Sequence, residues 1–97
     1  MPGRKTKKSA LILKLFVSGA SPNSVRAISN VKAICEAHIK SGYNLEIIDV
    51  YQNSELARRE QIVALPLLIK KLPLPERKLI GDMSDTAKVL NGLGVES

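Results

Sequence analysis

Residues 11–17 of the chain have the sequence Leu-Ile-Leu-Lys-Leu-Phe-Val and are followed directly by Ser18 and Gly19. A nearly continuous apolar run of this length, ended by turn residues, is typical of a strand that is buried on both faces. Such a strand lies inside a sheet covered by helices, so the run predicts an α/β domain built around it. With 97 residues, of which 44% are hydrophobic, the chain can form one core of this kind.

The positive charge of the chain is concentrated at its start. There are 15 lysines and arginines against 9 acidic residues, and four of the basic residues lie within the first eight positions. The rest of the chain is therefore almost neutral. We predict a single domain over residues 1–97, in which residues 1–9 form a basic, flexible tail. No apolar run is long enough for a transmembrane helix, so we expect a cytoplasmic protein without a membrane partner.

A helix is predicted between the first strand and a second one. Ser21 can cap the free backbone N–H groups of this helix, and Pro22 is tolerated at its first position. Apolar residues then follow at spacings of three and four, which places them on one helix face: Val25, Ile28, Val31, Cys35 and Ile39. Ser41 and Gly42 end the helix, and residues 45–50 form the second strand. This order predicts a right-handed βαβ unit with parallel strands.

The second half of the chain has weaker signals. The predicted elements are a short helix from Asn53 or Ser54 to Ile62, a strand over residues 65–69, a turn over 72–75, an antiparallel strand over 77–81 and a last helix that Ser84 caps and that Gly92 and Gly94 end. Val89, Leu90 and Leu93 form the apolar face of the last helix. The complete order, βαβ followed by αββα, is that of a thioredoxin-like fold.

Two positions can be compared with a thioredoxin. A thioredoxin carries its pair of cysteines at the start of the first helix, where this chain has Ser21-Pro-Asn-Ser24. Without thiols at these positions there is no disulfide exchange. The Leu65–Pro66 bond, directly before the third strand, is predicted to be cis, as the corresponding bond is in thioredoxins.

No group of residues favours catalysis. Cys35 lies on the apolar helix face, away from the exposed helix start that would activate a thiol, so we expect it in the core. His38 has no acidic residue placed to orient it, and for Asp49 we expect a structural hydrogen bond or solvent exposure. A single cysteine and a single histidine do not form a zinc site, and no glycine-rich phosphate loop is present. We therefore expect no enzyme, no cofactor and no metal; the alternative, a redox enzyme, requires a reactive Cys35.

Three basic pairs occur in the second half of the chain: Arg58-Arg59, Lys70-Lys71 and Arg77-Lys78. Such pairs are typical of solvated faces and of edge strands protected against aggregation. They are equally typical of a docking surface for an acidic protein partner. Two tyrosines and one phenylalanine offer no stacking platform for single-stranded nucleic acid, so we expect no nucleic-acid partner.

Several segments resemble the KaiB family of the bacterial Kai clock system. They are Leu-Lys-Leu-Phe-Val-Ser-Gly at residues 13–19, Ser-Pro-Asn-Ser-Val-Arg-Ala at 21–27, Ile-Asp-Val at 48–50 and Ile-Gly-Asp at 80–82. Single matches continue between them, at Asn53, Leu56, Ala57, Ile62, Ala64, Pro66, Leu68, Lys70, Pro73 and Pro75. The similarity extends over residues 11–93 without a gap.

The resemblance implies a non-enzymatic regulator that binds the hexameric ATPase KaiC and modulates its phosphorylation state and its binding of other partners. Members of this family are similar to the sensor domain of a histidine kinase, so such a kinase is a second expected partner. They take two folds: a ground state that assembles into dimers and tetramers, and a thioredoxin-like monomer that binds KaiC. The segment from Tyr51 onward differs between the two, which predicts a metamorphic chain.

The resemblance also implies functional positions. Partner contacts are expected at Arg26, Arg58, Gln61, Arg77 and Lys78. Positions that affect the change of fold are expected to be Pro66, Pro73, Pro75, Gly92 and Gly94, with slow proline isomerisation as a brake.

The chain departs from the family at two of these positions. Gln61 stands where the family has a basic residue, and Gly94 where cyanobacterial members have an acidic one. A second interpretation therefore remains open: a divergent homologue that acts in stress adaptation or signalling with a different partner and without KaiC binding. A stable oligomeric scaffold is a third.

Overall fold

The computed structural model describes residues 11–95. Their elements are β1 (Leu11–Val17), α1 (Pro22–His38), β2 (Tyr43–Asp49), α2 (Ser54–Arg59), β3 (Leu67–Leu72), β4 (Arg77–Ile80) and α3 (Thr86–Leu93). This is the predicted order of βαβ followed by αββα. The basic tail predicted for residues 1–9 lies outside the described residues.

The four strands form one mixed sheet in the order β2-β1-β3-β4. β1 is parallel to β2 and antiparallel to β3, and β3 is antiparallel to β4. The position of β1 inside the sheet confirms the prediction from its apolar sequence, and the whole arrangement is thioredoxin-like. β2 and β4 are left as the two edge strands.

α1 and α3 cover one face of the sheet. Their buried residues pack against alternate residues of β1 and β3 and form the larger core cluster, which includes Leu13, Leu15, Ala27, Val31, Cys35, Leu68, Val89, Leu90 and Leu93. The prediction of Val25 on the buried face is wrong, since Val25 is 53% exposed. The buried stripe of α1 passes through Ser24 and Ala27 instead. Successive residues of an α-helix are rotated by about 100°, so Val25, which follows Ser24, points away from that stripe.

α2 lies on the opposite face and covers only part of it. The smaller core cluster consists of Phe16, Ile48, Leu67 and Ile69, with the partly buried Val50, Leu56, Ile62 and Leu65 packed against it. α2 is six residues long and contains no fully buried residue. This half of the molecule is therefore held by much less apolar contact than the half formed by α1 and α3.

Several boundaries in the second half differ from the prediction, since β3 extends to Leu72 and β4 ends at Ile80. α2 ends at Arg59 and does not continue to Ile62, because Gln61 has a φ of 58°. A side-chain-bearing residue in this left-handed region cannot continue a right-handed helix. β3 begins at Leu67, two residues later than expected. The cis geometry predicted for Leu65–Pro66 is confirmed.

The ends of α3 also differ in detail. Asp85 caps the helix, because its side chain accepts a hydrogen bond from the backbone N–H of Lys88, so the prediction of Ser84 as the cap is wrong. Gly92 lies within the helix, and only Gly94, with a φ of 75°, ends it. Left-handed glycine is a common helix terminator. No helix in residues 11–95 is long and apolar enough to cross a membrane.

Candidate functional site

The turn between β1 and α1 is held by a cluster of three serines. The Ser21 hydroxyl accepts a hydrogen bond from the Ser24 backbone N–H and lies 2.9 Å from the Ser24 hydroxyl. The Ser24 hydroxyl also accepts from the backbone N–H of Ser18, at 3.0 Å, and Ser24 is fully buried. Ser21 and Ser24 thus cap the helix and close the turn, and neither position carries a thiol.

Ser21→Cys and Ser24→Cys together are expected to give the chain a reducible disulfide. A Cys-X-X-Cys pair at a helix start has a lowered thiol pKa and a favourable geometry for exchange. Alkylation of the native protein with and without reductant, followed by mass spectrometry, counts the thiols. The Ser21→Cys single variant is the control and should form no internal disulfide. Two permanently free thiols in the double variant, besides that of Cys35, would show that this turn is not arranged as in a thioredoxin.

Cys35 and Asp49 have structural roles. Cys35 is buried in the larger core cluster, as predicted. The Asp49 carboxylate accepts hydrogen bonds from the backbone N–H groups of Gly19 and Tyr51, at 3.2 and 2.9 Å, which confirms the expected structural hydrogen bond. His38 is the last residue of α1 and is partly exposed.

Burial, with a smaller contribution from the neighbouring Glu36, raises the pKa of the Cys35 thiol from 9.0 to about 11. The folded state therefore favours the neutral thiol, and the free energy of unfolding should fall as the pH rises from about 9 towards 11. Near neutral pH we expect Ellman's reagent to label native Cys35 far more slowly than the urea-unfolded chain. Equal labelling rates would contradict its place in the core.

Arg26 joins α1 to the loop between β4 and α3. Its Nε lies 3.4 Å from Oδ2 of Asp82, and its guanidinium also donates to the side chain of Asn23. Hydrogen bonds from Ser84, followed by the interaction with Arg26, lower the pKa of Asp82. Asn30 adds a second link, from its side-chain amide to the backbone carbonyl of Asp82 at 2.9 Å. Arg26 is thus exposed on α1 and fixed beside the end of β4. No local pattern indicates Asp82 as its partner, because 56 residues separate the two in the chain.

Arg77 and Lys78 lie on the edge strand β4, and both are exposed. Arg77 is paired with Lys70 and Lys78 with Ile69, so their side chains point to opposite faces of the sheet. No ion pair within residues 11–95 involves either of them. Ile80, on the same strand, is 61% exposed. The edge strand therefore presents basic groups on both of its faces and an apolar side chain near its end.

Arg58 and Gln61 lie in and just after α2, on the face of the sheet opposite to α1. Arg58 is exposed and forms an ion pair with Glu55 at 3.6 Å. Gln61 follows the end of the helix. Lys78 faces the same side of the sheet as α2, since its partner Ile69 belongs to the smaller core cluster. The five positions thus form two groups on either side of β4: Arg26 and Arg77 on the side of α1, and Arg58, Gln61 and Lys78 on the side of α2.

The five positions expected to affect the fold surround β3 and α3. Pro66 precedes β3, and Pro73 and Pro75 lie in the turn between β3 and β4, each after a cis peptide bond. A Cβ atom on Gly92 would lie 2.6 Å from a methyl carbon of Leu79, so Gly92 allows β4 and α3 to approach closely. Gly94 supplies the left-handed residue that ends α3.

The basic pairs are not equivalent. The interpretation of all three as solvated is wrong for Lys70, which is 5% exposed. Lys71 is partly buried and lies 3.3 Å from Glu60 and 3.6 Å from Glu76. Arg58-Arg59 and Arg77-Lys78 are exposed as expected. Strand alternation explains the difference, since Lys70 and Lys71 point to opposite faces of the sheet.

The chain matches the family model described as the KaiB domain over residues 14–95. A protein of Picosynechococcus sp. named circadian clock oscillator protein KaiB is 52% identical over 86 residues, which is 89% of this chain and 83% of that protein. A protein of the same name from Synechococcus elongatus is 50% identical over 93 residues, 96% of this chain and 87% of that protein.

Solved structures show the same fold. The N-terminal domain of Synechococcus elongatus SasA has a TM-score of 0.72 at 29% identity, covering 87% of this chain and 79% of that one. The thioredoxin of Fasciola hepatica has a TM-score of 0.72 at 20% identity, covering 93% of this chain and 84% of that one. The thioredoxin has the same architecture, whereas the cyanobacterial proteins named KaiB are about half identical in sequence over most of both chains. The chain therefore belongs to the KaiB family.

Proposed function

We propose that the chain is a regulatory protein of a Kai-type clock or a clock-derived system, and that it binds a hexameric KaiC-type ATPase. In this role it modulates the phosphorylation state of the ATPase and its binding of other partners. The observation that carries the proposal is the identity of about half of all aligned residues with proteins named circadian clock oscillator protein KaiB. The serines at the thioredoxin-like turn support a role in binding, since they offer no thiol chemistry there.

The proposed contact surface runs along β4 and the start of α1. It consists of Arg26, Arg77, Lys78 and the exposed Ile80, with Arg58 and Gln61 adding contacts on the side of α2. The cations Arg77 and Lys78 have no ion-pair partner within residues 11–95, so they are available to an acidic surface. Complementary charge of this kind selects the partner and accelerates association.

We further propose that the conformer described here exchanges with a second packing of the segment from Tyr51 onward, which assembles into dimers or tetramers. The small number of apolar contacts over the smaller core cluster supports this. Because α2 contributes no fully buried residue, its detachment costs little free energy. If only the thioredoxin-like conformer binds the ATPase, the apparent affinity is reduced by its population, and association is slow.

A histidine kinase with a KaiB-like sensor domain is the proposed competitor for the same ATPase surface. The common fold of this chain and the N-terminal domain of SasA supports this part of the proposal, since two domains of one shape can occupy one site. Competition would let the chain displace the kinase as the thioredoxin-like conformer accumulates.

The phosphorylation state of the ATPase tests the function directly. The KaiC-type ATPase encoded in the same genome is incubated with ATP, with and without this protein, and its phosphorylated fraction is followed by gel electrophoresis. We expect the protein to change the time course, and the Arg77→Glu variant to restore the time course of the ATPase alone. An unchanged time course with the wild-type protein would reject regulation of this ATPase and favour a different partner.

A further inference from the structure

Lys70 is an unusual residue for its position in the fold. It is one of two buried polar or charged residues among those described, with 5% exposure, and it lies on the face of β3 covered by α1 and α3. Lysine is almost never this buried unless its ammonium group has a partner. The surroundings of Lys70 should therefore contain an acceptor for that charge.

The described part of the chain supplies no such acceptor. Lys70 forms no side-chain hydrogen bond within residues 11–95. The ion pairs there involve other cations, which are Lys14, Arg26, Arg58 and Lys71. The Lys70 ammonium lies 3.9 Å from the position that a Cβ on Gly94 would occupy, beside the end of α3. The negative end of the helix dipole favours a cation there. However, the Lys70 ammonium donates no hydrogen bond to a carbonyl of the described residues there; the carbonyls of Leu90 and Asn91 accept from the backbone N–H groups of Val95 and Gly94.

Like charges increase the need for an anion. Lys70 is directly paired with Arg77 across β3 and β4. Two cations in such a position destabilise a sheet when nothing neutralises them. Three donors of a buried ammonium without an acceptor add a further cost.

Lys70 lines a pocket of about 480 Å³ at this end of the molecule. His38 and Lys40 also line this pocket, and no aspartate or glutamate among the described residues does so. The apolar residues that line the pocket are Leu11, Ile39, Pro73, Leu74, Leu93 and Val95. A ligand that fits both the Lys70 ammonium and the apolar lining residues has a single anionic group and an alkyl body.

We propose that this pocket binds a small apolar carboxylate, whose carboxylate group accepts hydrogen bonds from the Lys70 ammonium. Lys40, which also lines the pocket, adds positive charge that attracts the anion, and the apolar wall excludes a bare, strongly hydrated one. This site shares no residue with the proposed contact surface, although Lys70 lies opposite Arg77, and its occupation requires no partner protein.

Hexanoate is the probe. It is titrated into the ¹⁵N-labelled full chain, and the amide signals of Leu93, Gly94 and Val95 are followed by NMR. We expect saturable shifts, with hexanol binding at least about tenfold more weakly, because a neutral alcohol forgoes the charge-assisted hydrogen bonds. Hexanol binding as tightly as hexanoate, inorganic phosphate binding as tightly, or no saturable shift with hexanoate would each overturn the proposal.

Three variants locate the site. Lys70→Met keeps the shape of the side chain without its charge and should weaken hexanoate binding at least about tenfold. Lys32→Met removes an exposed charge of α1 outside the pocket and should leave binding unchanged. Leu74→Glu, at an exposed position of the pocket wall, adds a competing carboxylate and should also weaken binding without relying on a change in the core. Equal affinities in all three would contradict the site.

The carboxylate could come from the chain itself, and Glu96→Gln distinguishes the two sources. An unchanged hexanoate affinity in this variant supports an external ligand. A clearly tighter affinity would show that Glu96 competes for Lys70, and it would overturn the assignment to a small molecule.

Discussion

Phe16→Ala is expected to lower the free energy of unfolding by about 3–5 kcal/mol, the range typical of emptying a buried aromatic site. Phe16 is fully buried and is the largest member of the smaller core cluster. Its removal withdraws the support of Leu56, Ile62 and Leu65, which are the main apolar contacts of the segment around α2. Urea unfolding followed by circular dichroism measures the loss.

The matched control for this experiment is Phe16→Leu, which keeps most of the side-chain volume. We expect it to cost less than about 1.5 kcal/mol. If Phe16→Ala also costs less than this, the α2 face is not packed on Phe16 as the structure shows, and the described conformer would not be the main folded state in solution.

The second large effect concerns binding. Arg26→Glu is expected to weaken the complex with the KaiC-type ATPase by at least about tenfold, because it reverses the charge of the proposed surface. It also places a carboxylate beside Asp82, whose pKa should then rise towards its ordinary value. Surface plasmon resonance on the immobilised ATPase measures the affinity, and Lys32→Glu, on the exposed middle of α1, is the charge-matched control.

A charge exchange separates contact from structure. Arg26→Glu combined with Asp82→Arg restores an ion pair between α1 and the loop after β4 but leaves the charge at position 26 reversed. If Arg26 contacts the ATPase, binding stays weak in the double variant. Full recovery of binding would mean that Arg26 only holds the loop in place, and its role in the proposed surface would be wrong.

The first half of the fold is predictable from local sequence. The apolar run of β1 is typical of a covered strand, and the serine and proline at the start of α1 indicate the residue at which the helix begins. These signals depend on neighbours in the chain, so they survive without knowledge of the tertiary contacts. The burial of Cys35 and the hydrogen bonds of Asp49 follow from the same elements.

Errors occur where tertiary contacts decide. Val25 satisfies the helical spacing, but the packing of α1 on β1 and β3 selects the neighbouring stripe. The pair Lys70-Lys71 is typical of a solvated face, yet the register of β3 places the Lys70 side chain on the buried face of the sheet. Ser84 and Asp85 are both good helix caps, and only the course of the loop after β4 chooses between them.

The proposed contact surface, too, is only partly predictable from the sequence. Resemblance to the family indicates its residues, whereas charge patterns alone do not distinguish a solvated face from a docking surface. The structure adds their arrangement, with two groups on either side of an edge strand, and the pairing of Arg26 with Asp82. The change of fold depends on two packings of one sequence whose free energies differ by only a few kcal/mol, a difference smaller than sequence patterns resolve.

Native mass spectrometry tests the proposed binding of this thioredoxin-like conformer to a ring ATPase. The wild-type protein is mixed with the KaiC-type ATPase of the same genome and with nucleotide, and the mixture is sampled over a day. We expect slow appearance of the hexameric ring carrying monomers of this protein, and loss of that species with Arg26→Glu or Arg77→Glu. A folded protein that forms no complex with an intact ring over the whole period would contradict it.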